Sequence, residues 1–310
     1  EKKVKIAIGQ DSRLSGGDIK TALMAGMAPF AIEIVDVGLS TTPAMFMSTQ
    51  YEDYATDAAI MITASHLPFE YNGLKFFTKT GGAEHEDIEA ILEYAYEIPE
   101  AFAEEEQTAV VTEMDLLSTY AADLQEKIRK GIASAENPGK PLTGRHIIVD
   151  AGNGAGGFFV ERVLQPLGAN TSGSQFLDPD GTFPNHVPNP DNKAAMKSIQ
   201  DAVIANKADL GIIFDTDVDR SAIVDSDGKA FNRNNLIALI SAVLLTEEPG
   251  ATIVTNSATS AHLETFITEL GGVQDRYLTG YRNVINRGIE LNEAGTNAVL
   301  AIETSGHAAL

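Results

Sequence analysis

Three short apolar runs, spaced along the chain, each end in a loop crowded with polar and charged residues. Ala58-Ala59-Ile60-Met61-Ile62 leads into Thr63-Ala64-Ser65-His66-Leu67-Pro68. The run at 209–214 leads into Asp215-Thr216-Asp217-Val218-Asp219-Arg220, and the run at 298–302 into Glu303-Thr304-Ser305-Gly306-His307. Short apolar runs bounded by polar loops read as buried strands. Strands alternating with helices imply an α/β fold of three successive units, with mixed, mostly parallel sheets flanked by helices. Such sheets hold their chemistry at the C-terminal ends of the strands. One site assembled from these three loops is therefore the economical expectation.

Around these anchors the first unit has strand patterns at 4–8, 32–37, 58–62 and 75–78. Helical patterns fall at 16–30, 43–51 and 84–96, and a long one at 112–132. The run Glu136-Asn137-Pro138-Gly139-Lys140-Pro141 reads as a linker. A second unit follows, with a strand at 146–149, a Gly-rich loop at 150–157 opening a helix to about 167, and a further short strand. A loop at 178–191, a helix at 191–206 and the strand at 209–214 complete it. The third has helices at 235–245 and 260–270 and strands at 252–255, 273–277 and 298–302, with a loop and a further helix after 279. The expected domains are 1–135, 142–229 and 230–310, joined by the linker 136–141.

At 310 residues the chain exceeds one ordinary core. No run approaches the ~20 apolar residues that span a bilayer. The first residues run straight into a strand, so no signal peptide is expected, and a cytoplasmic location follows. The absence of cysteine excludes disulfides, a thiol nucleophile and thiolate metal ligands. A net charge of −22 argues against nucleic acid as a partner. The same field would repel a phosphorylated substrate, so a site for one needs local cations or a metal ion.

Asp215, Asp217 and Asp219 alternate along a short extended stretch, which points their side chains the same way and lets three carboxylates meet on one hard cation. All-oxygen ligation favours Mg²⁺, Mn²⁺ or Ca²⁺ over zinc. An EF-hand is excluded, since Arg220 stands where its glycine would be and Ser226 where its glutamate would be. The Gly-rich loop 150–157 matches neither the dinucleotide fingerprint nor the P-loop, so close helix–strand packing is expected there rather than phosphate binding.

Together these stretches resemble the α-D-phosphohexomutases, the phosphoglucomutase/phosphomannomutase family. Residues 63–75, which include Asn72-Gly73-Leu74-Lys75, resemble its active-site serine loop. Asp215 to Arg220 resemble its metal loop, and Glu303 to His307 its sugar-binding loop. Gly9-Gln10-Asp11-Ser12-Arg13-Leu14-Ser15 and Phe183-Pro184-Asn185-His186-Val187-Pro188-Asn189-Pro190 agree, in the family's order.

The resemblance implies that Ser65 carries a phosphoryl group, exchanged with a hexose phosphate through a hexose 1,6-bisphosphate. Asp215, Asp217 and Asp219 would hold one Mg²⁺ against the phosphoserine oxygens. Arg13, Lys75 and Arg220 would supply cations around the group in transfer. Glu303 and Ser305 would bind sugar hydroxyls, with His307 and Arg282 near the substrate. His66, Lys75 and metal-bound groups remain open as general base, and the oligomeric state is open, a monomer included.

The family's serine loop commonly has Asn where this chain has Leu67, which puts one loop-shaping hydrogen bond in doubt. A fourth domain binding the substrate's distal phosphate is also implied, and nothing like it lies within residues 1–310. These residues are expected to form most of a longer protein, and alone to have little mutase activity. Two rivals stand beside the mutase. The strand with Asp-x-Asp also resembles the haloacid dehalogenase-type phosphatases, with Asp215 as nucleophile and Asp217 as acid/base. That leaves Asp219, Arg220 and the Ser65 loop without a role. A sugar-phosphate-binding protein without turnover is the other.

Overall fold

In the computed structural model, which describes residues 3–30, 32–97, 110–133, 136–231 and 233–310, the apolar runs become strands of three sheets. The first sheet holds β1 (Lys5–Gln10), β2 (Glu33–Leu39), β3 (Ala58–Ile62), β4 (Leu74–Thr78), β5 (Gly81–Gly82) and β6 (Val110–Glu113), in the order β5-β4-β3-β1-β2-β6. β3, β1, β2 and β6 are parallel, while β4 and β5 are antiparallel. Its helices are α1 (Gly16–Met27), α2 (Thr42–Ser48), α3 (His85–Glu97) and α4 (Leu116–Ile132). Successive strand residues face opposite sides. Accordingly Ile8, Ile34 and Ile62 pack with Ile19 and Leu23 of α1, whereas Ala7, Val35 and Met61 pack with Met45 of α2 and Leu116 of α4.

The second sheet runs β10-β9-β8-β7, from β7 (Ile147–Asp150), β8 (Leu210–Phe214), β9 (Ser221–Asp225) and β10 (Ala230–Phe231). β7 and β8 are parallel. Helix α5 (Lys193–Asn206) covers one face through Ile199 and Val203, and Val160 and Leu164 cover the other. The third sheet runs β12-β11-β13-β14, from β11 (Thr252–Asn256), β12 (Val273–Tyr277), β13 (Ala298–Ile302) and β14 (Ala308–Ala309). Ile237 of α6 (Arg233–Glu247) and Ile267 of α7 (Ala261–Glu269) pack on one face, and Val284 of α8 (Tyr281–Glu293) on the other.

Three expectations are corrected. The helix expected over 112–132 starts only at Leu116, because the Asp115 side chain accepts the Ser118 N–H and caps α4. The β-branched stretch before it joins the sheet as β6. The helix expected from the Gly-rich loop to 167 is a 3₁₀ turn at Ala155–Gly157 and a wide π turn at Val160–Leu164. A Cβ on Gly154 would lie 2.6 Å from the Thr216 carbonyl oxygen, and one on Gly157 2.1 Å from that of Leu177. These glycines serve close backbone packing. The short strand expected after that helix is reduced to isolated bridges at Asn170 and Gln175. The hairpin β9–β10 went unanticipated, although Asp227-Gly228 signals its turn.

Helix α4 ties two units together: Leu116 and Leu117 join the first sheet's core, while Ala121 clusters with Val163 and Leu167. Among the described residues, no helix is long and apolar enough to cross a membrane.

Candidate active site

Ser65 leaves β3 in a left-handed conformation, φ +52°, which a non-glycine residue adopts at a cost. The surrounding hydrogen bonds hold it there. Its N–H donates to Thr63 Oγ1 (2.9 Å), whose hydroxyl donates to Asp11 Oδ2 (2.7 Å). Its carbonyl accepts from Arg13 Nη2 at 2.5 Å. Ser65 Oγ donates to Asp215 Oδ2 across the boundary between two sheets, at 3.0 Å. His66 Nδ1 lies 3.4 Å from the same hydroxyl.

Asp215 and Asp217 are fully buried. One oxygen from each of Asp215, Asp217 and Asp219 lies within 4.8 Å of the others. Asp215 has both oxygens engaged, Oδ1 by the Arg220 N–H (3.0 Å) and Oδ2 by Ser65. Asp217 Oδ1 is buried and accepts no hydrogen bond. Three crowded carboxylates with a free buried oxygen fit a hard divalent cation, so this triad can hold a metal ion. Burial, then repulsion by Asp217 and Asp219, pushes the Asp215 carboxyl well above the usual carboxylate range.

Lys75, on β4, donates from Nζ to Asp217 Oδ2 and Asp219 Oδ2, both at 2.7 Å. Burial works against its charge, but the two carboxylates outweigh it and raise its pKa. Burial also opposes the charge on Asp219, yet His307 and Lys75 pull its pKa down. His66 moves the other way, lowered by burial and then by the Arg220 charge.

The loop after β13 closes the cleft. His307 Nε2 lies 3.3 Å from Asp219 Oδ1 and 3.3 Å from Arg220 Nε, which donates to it. His307 Nδ1 lies 3.0 Å from Ser305 Oγ, which donates to Glu303 Oε2 at 3.4 Å. The Gly280 N–H donates to Glu303 Oε1 at 2.7 Å, and the Tyr281 ring stands 5.2 Å from the His307 ring. Burial tends to raise the Glu303 pKa, but His307 and the Gly280 N–H more than offset it.

Ser65, His66, Lys75, the three aspartates, Arg220, Glu303, Ser305 and His307 thus meet in one cleft. Arg13 departs from expectation. Arg13 is buried behind the serine loop with all five N–H groups engaged, so none is free to reach a transferring group. Nε donates to Asp11, Nη1 to the carbonyls of Pro68 and Tyr71, and Nη2 to those of Ser65 and Leu67. Phe183 from the second unit caps it, 5.4 Å from ring centre to guanidinium carbon. Arg282 lines one cavity with Thr42, Asp219, Tyr281 and His307, and pairs with Glu84, which also accepts from Asn286. Thr42, Glu84 and Gly280 were missed as neighbours of the site. Thr41-Thr42-Pro43 signals a helix start, but not that this start meets a loop 175 residues away.

Such a fold and site define a class, a multidomain α/β protein whose cleft chemistry is shared among three sheets. Family models described as Phosphoglucomutase/phosphomannomutase, alpha/beta/alpha domains I, II and III match residues 1–101, 119–228 and 232–310. A phosphoglucomutase of Neisseria gonorrhoeae is 29% identical over 303 residues, 98% of this chain and 61% of that protein. A phosphomannomutase/phosphoglucomutase of Pseudomonas aeruginosa is 30% identical over 302 residues, 97% of this chain and 60% of that protein. A crystal structure of a family protein from Burkholderia thailandensis superposes with a TM-score of 0.80 at 27% identity, covering 98% of this chain and 63% of that one. The chain belongs to the phosphoglucomutase/phosphomannomutase family. It spans about 60% of the length of these two relatives.

Proposed function

We propose that the protein is a phosphohexomutase, an isomerase interconverting hexose 1-phosphate and hexose 6-phosphate, of glucose or mannose. The observation that carries this reading is the hydrogen bond from Ser65 to Asp215, which sets a nucleophile-sized hydroxyl against three crowded carboxylates. Ser65 is the phosphoryl carrier. In the first half-reaction the P–O bond to Ser65 breaks as a P–O bond to a sugar hydroxyl forms, that hydroxyl's proton passing to a base while the Ser65 oxygen takes up a proton. In the second the Ser65 hydroxyl gives up its proton as its P–O bond re-forms, and the bond from phosphorus to the other sugar oxygen breaks, that oxygen taking up a proton. A bisphosphorylated sugar is the intermediate, and its other phosphoryl group later returns to Ser65. Lys75, held as a cation between two carboxylates, is a poor base. His66 is therefore favoured to exchange the proton. Lys75 and Arg220 offset charge on the transferring group. Glu303 and Ser305 hold ring hydroxyls in either orientation.

Asp215, Asp217 and Asp219 would hold Mg²⁺. When bound, the ion stabilises charge on the transferring phosphoryl group and relieves the repulsion that a −22 protein exerts on its substrate. A hexose phosphate is the small-molecule partner, and the location is cytoplasmic.

The phosphatase alternative loses ground because both Asp215 oxygens are engaged and the residue is fully buried. Incubation of the protein with glucose 1,6-bisphosphate, followed by peptide mass mapping, tests the choice. One added phosphate on Ser65, together with coupled-assay turnover of glucose 1-phosphate or mannose 1-phosphate by the full-length protein, is the expected result. Release of inorganic phosphate without phosphoserine would overturn it. Hexose-phosphate binding without turnover even in the full-length protein would leave only a binding protein.

A further inference from the structure

Thr42 stands at the start of α2 in the first unit, nearly buried, yet its hydrogen bonds go to the aspartate loop of the second. Its hydroxyl donates to Asp217 Oδ2, and its N–H donates to the Asp217 carbonyl oxygen at 2.9 Å. Lys75 takes up the same Oδ2 at 2.7 Å, which fills that oxygen and leaves Oδ1 buried without a donor. The next residue, Val218, has φ +63°. A β-branched side chain is poorly tolerated there, so the turn persists only because its surroundings hold it. The Thr42 N–H grips the carbonyl of the peptide immediately before that strained residue.

We propose that Thr42 is a positioning residue for the cation site. Its hydroxyl fixes the Asp217 carboxylate so that Oδ1 stays available to a metal ion, and its N–H pins the strained turn that carries the ligands. Through these two bonds, ligand geometry in the second unit depends on how the first unit is docked. The inference rests on reading the aspartate triad as a metal site. Groups that orient metal ligands without touching the metal typically contribute roughly 10- to 100-fold in affinity.

The test uses Mn²⁺ as the probe, its free concentration followed by electron paramagnetic resonance in the dephosphorylated protein, so that no turnover enters the readout. Thr42→Val removes the hydroxyl and keeps shape and N–H; Thr42→Ser restores the hydroxyl. Thr42→Val is expected to bind Mn²⁺ roughly 10-fold or more weakly, and Thr42→Ser close to the parent. Mn²⁺ binding by Thr42→Val as tight as the parent's, or tighter, overturns the inference. So does an equal loss in both variants, which would mark a packing role for the methyl group. If Thr42→Val does not fold, Thr42→Cys, a weak donor of similar size, is read against the same outcomes. A parent that binds Mn²⁺, with no mutase turnover even in the full-length protein, refutes the proposed activity and leaves this inference standing. A parent that binds no Mn²⁺ overturns the inference.

Discussion

Asp150 closes β7 and Asp215 follows β8, the parallel strand beside it, and both side chains are fully buried. Around Asp150 the protein supplies every partner. The Gly152 N–H donates at 2.9 Å, Gln175 Nε2 at 2.7 Å, and His186 Nε2 lies 3.0 Å from both oxygens. His186 Nδ1 is 2.9 Å from the Val187 carbonyl, so both ring nitrogens face acceptors and the ring is suited to being an imidazolium. Around Asp215 the nearest acidic neighbours are two more carboxylates, and a buried oxygen on each of them accepts no hydrogen bond. One strand end is electrostatically closed. Its neighbour belongs to a cluster of three carboxylates that Lys75 compensates only in part, and buried charge left short of compensation persists where chemistry uses it.

The sharpest way to break this contrast is to remove the group the open end serves. Ser65→Ala is expected to lower kcat about a thousandfold or more, abolish phosphate incorporation and leave the melting temperature unchanged. Activity surviving within tenfold would mean that Ser65 is incidental. Asp217→Asn comes next, with an expected loss of about a hundredfold in Mg²⁺-dependent rate. Its melting temperature without Mg²⁺ should fall less than that of Asp150→Asn, since relief of repulsion among the carboxylates partly offsets the lost ion pair with Lys75. Saturating Mg²⁺ at about 100 times its Kd should stabilise the parent by about 2.7 kcal/mol and leave this variant unmoved. Calorimetry with and without Mg²⁺ checks both.

Asp150→Asn should cost more, losing about 1–3 kcal/mol of stability in denaturant melts, because the His186 ring is left buried without its acceptor charge and no repulsion is relieved in exchange. If Asp150→Asn and Asp217→Asn shift stability alike, the contrast fails. The smallest effect concerns pH. Burial works against a charged His186, but its hydrogen bond and attraction to Asp150 prevail and raise its pKa. A raised histidine pKa gives stability that is present below the unfolded value of about 6.5 and lost as pH climbs through the folded value. The stability advantage of the parent over His186→Gln should therefore shrink between about pH 6 and about pH 9. Thermal melts of both proteins at the two pH values measure it.

The three loops were legible because each apolar run stops abruptly at residues whose only common property is chemistry. The aspartate spacing pointed to a cation, and the fold class followed from strand–helix alternation. The role of Arg13 was not legible, since four of its five acceptors are main-chain carbonyls, which every residue type carries. Nor were the Thr42 and Arg282 contacts, which join residues 175 and 198 positions apart across units that no local pattern links. The misjudged start of α4 has a different cause. Val110, Val111 and Thr112 favour a strand only when β2 offers a free edge, and that offer is made by tertiary structure.

The Arg13 arrangement has a consequence for how this loop can vary. Leu67 and Tyr71 present their carbonyls to the guanidinium while their side chains stand 44% and 58% exposed. What holds the loop at these positions is main chain, so a Leu in place of the family's Asn leaves these anchoring contacts in place. Substitutions at 67 and 71 should be freely exchanged, while a single change at 13 would release four carbonyls at once. The loop's mutational freedom is thus concentrated on its rim, and its fragility in one side chain more than fifty residues away.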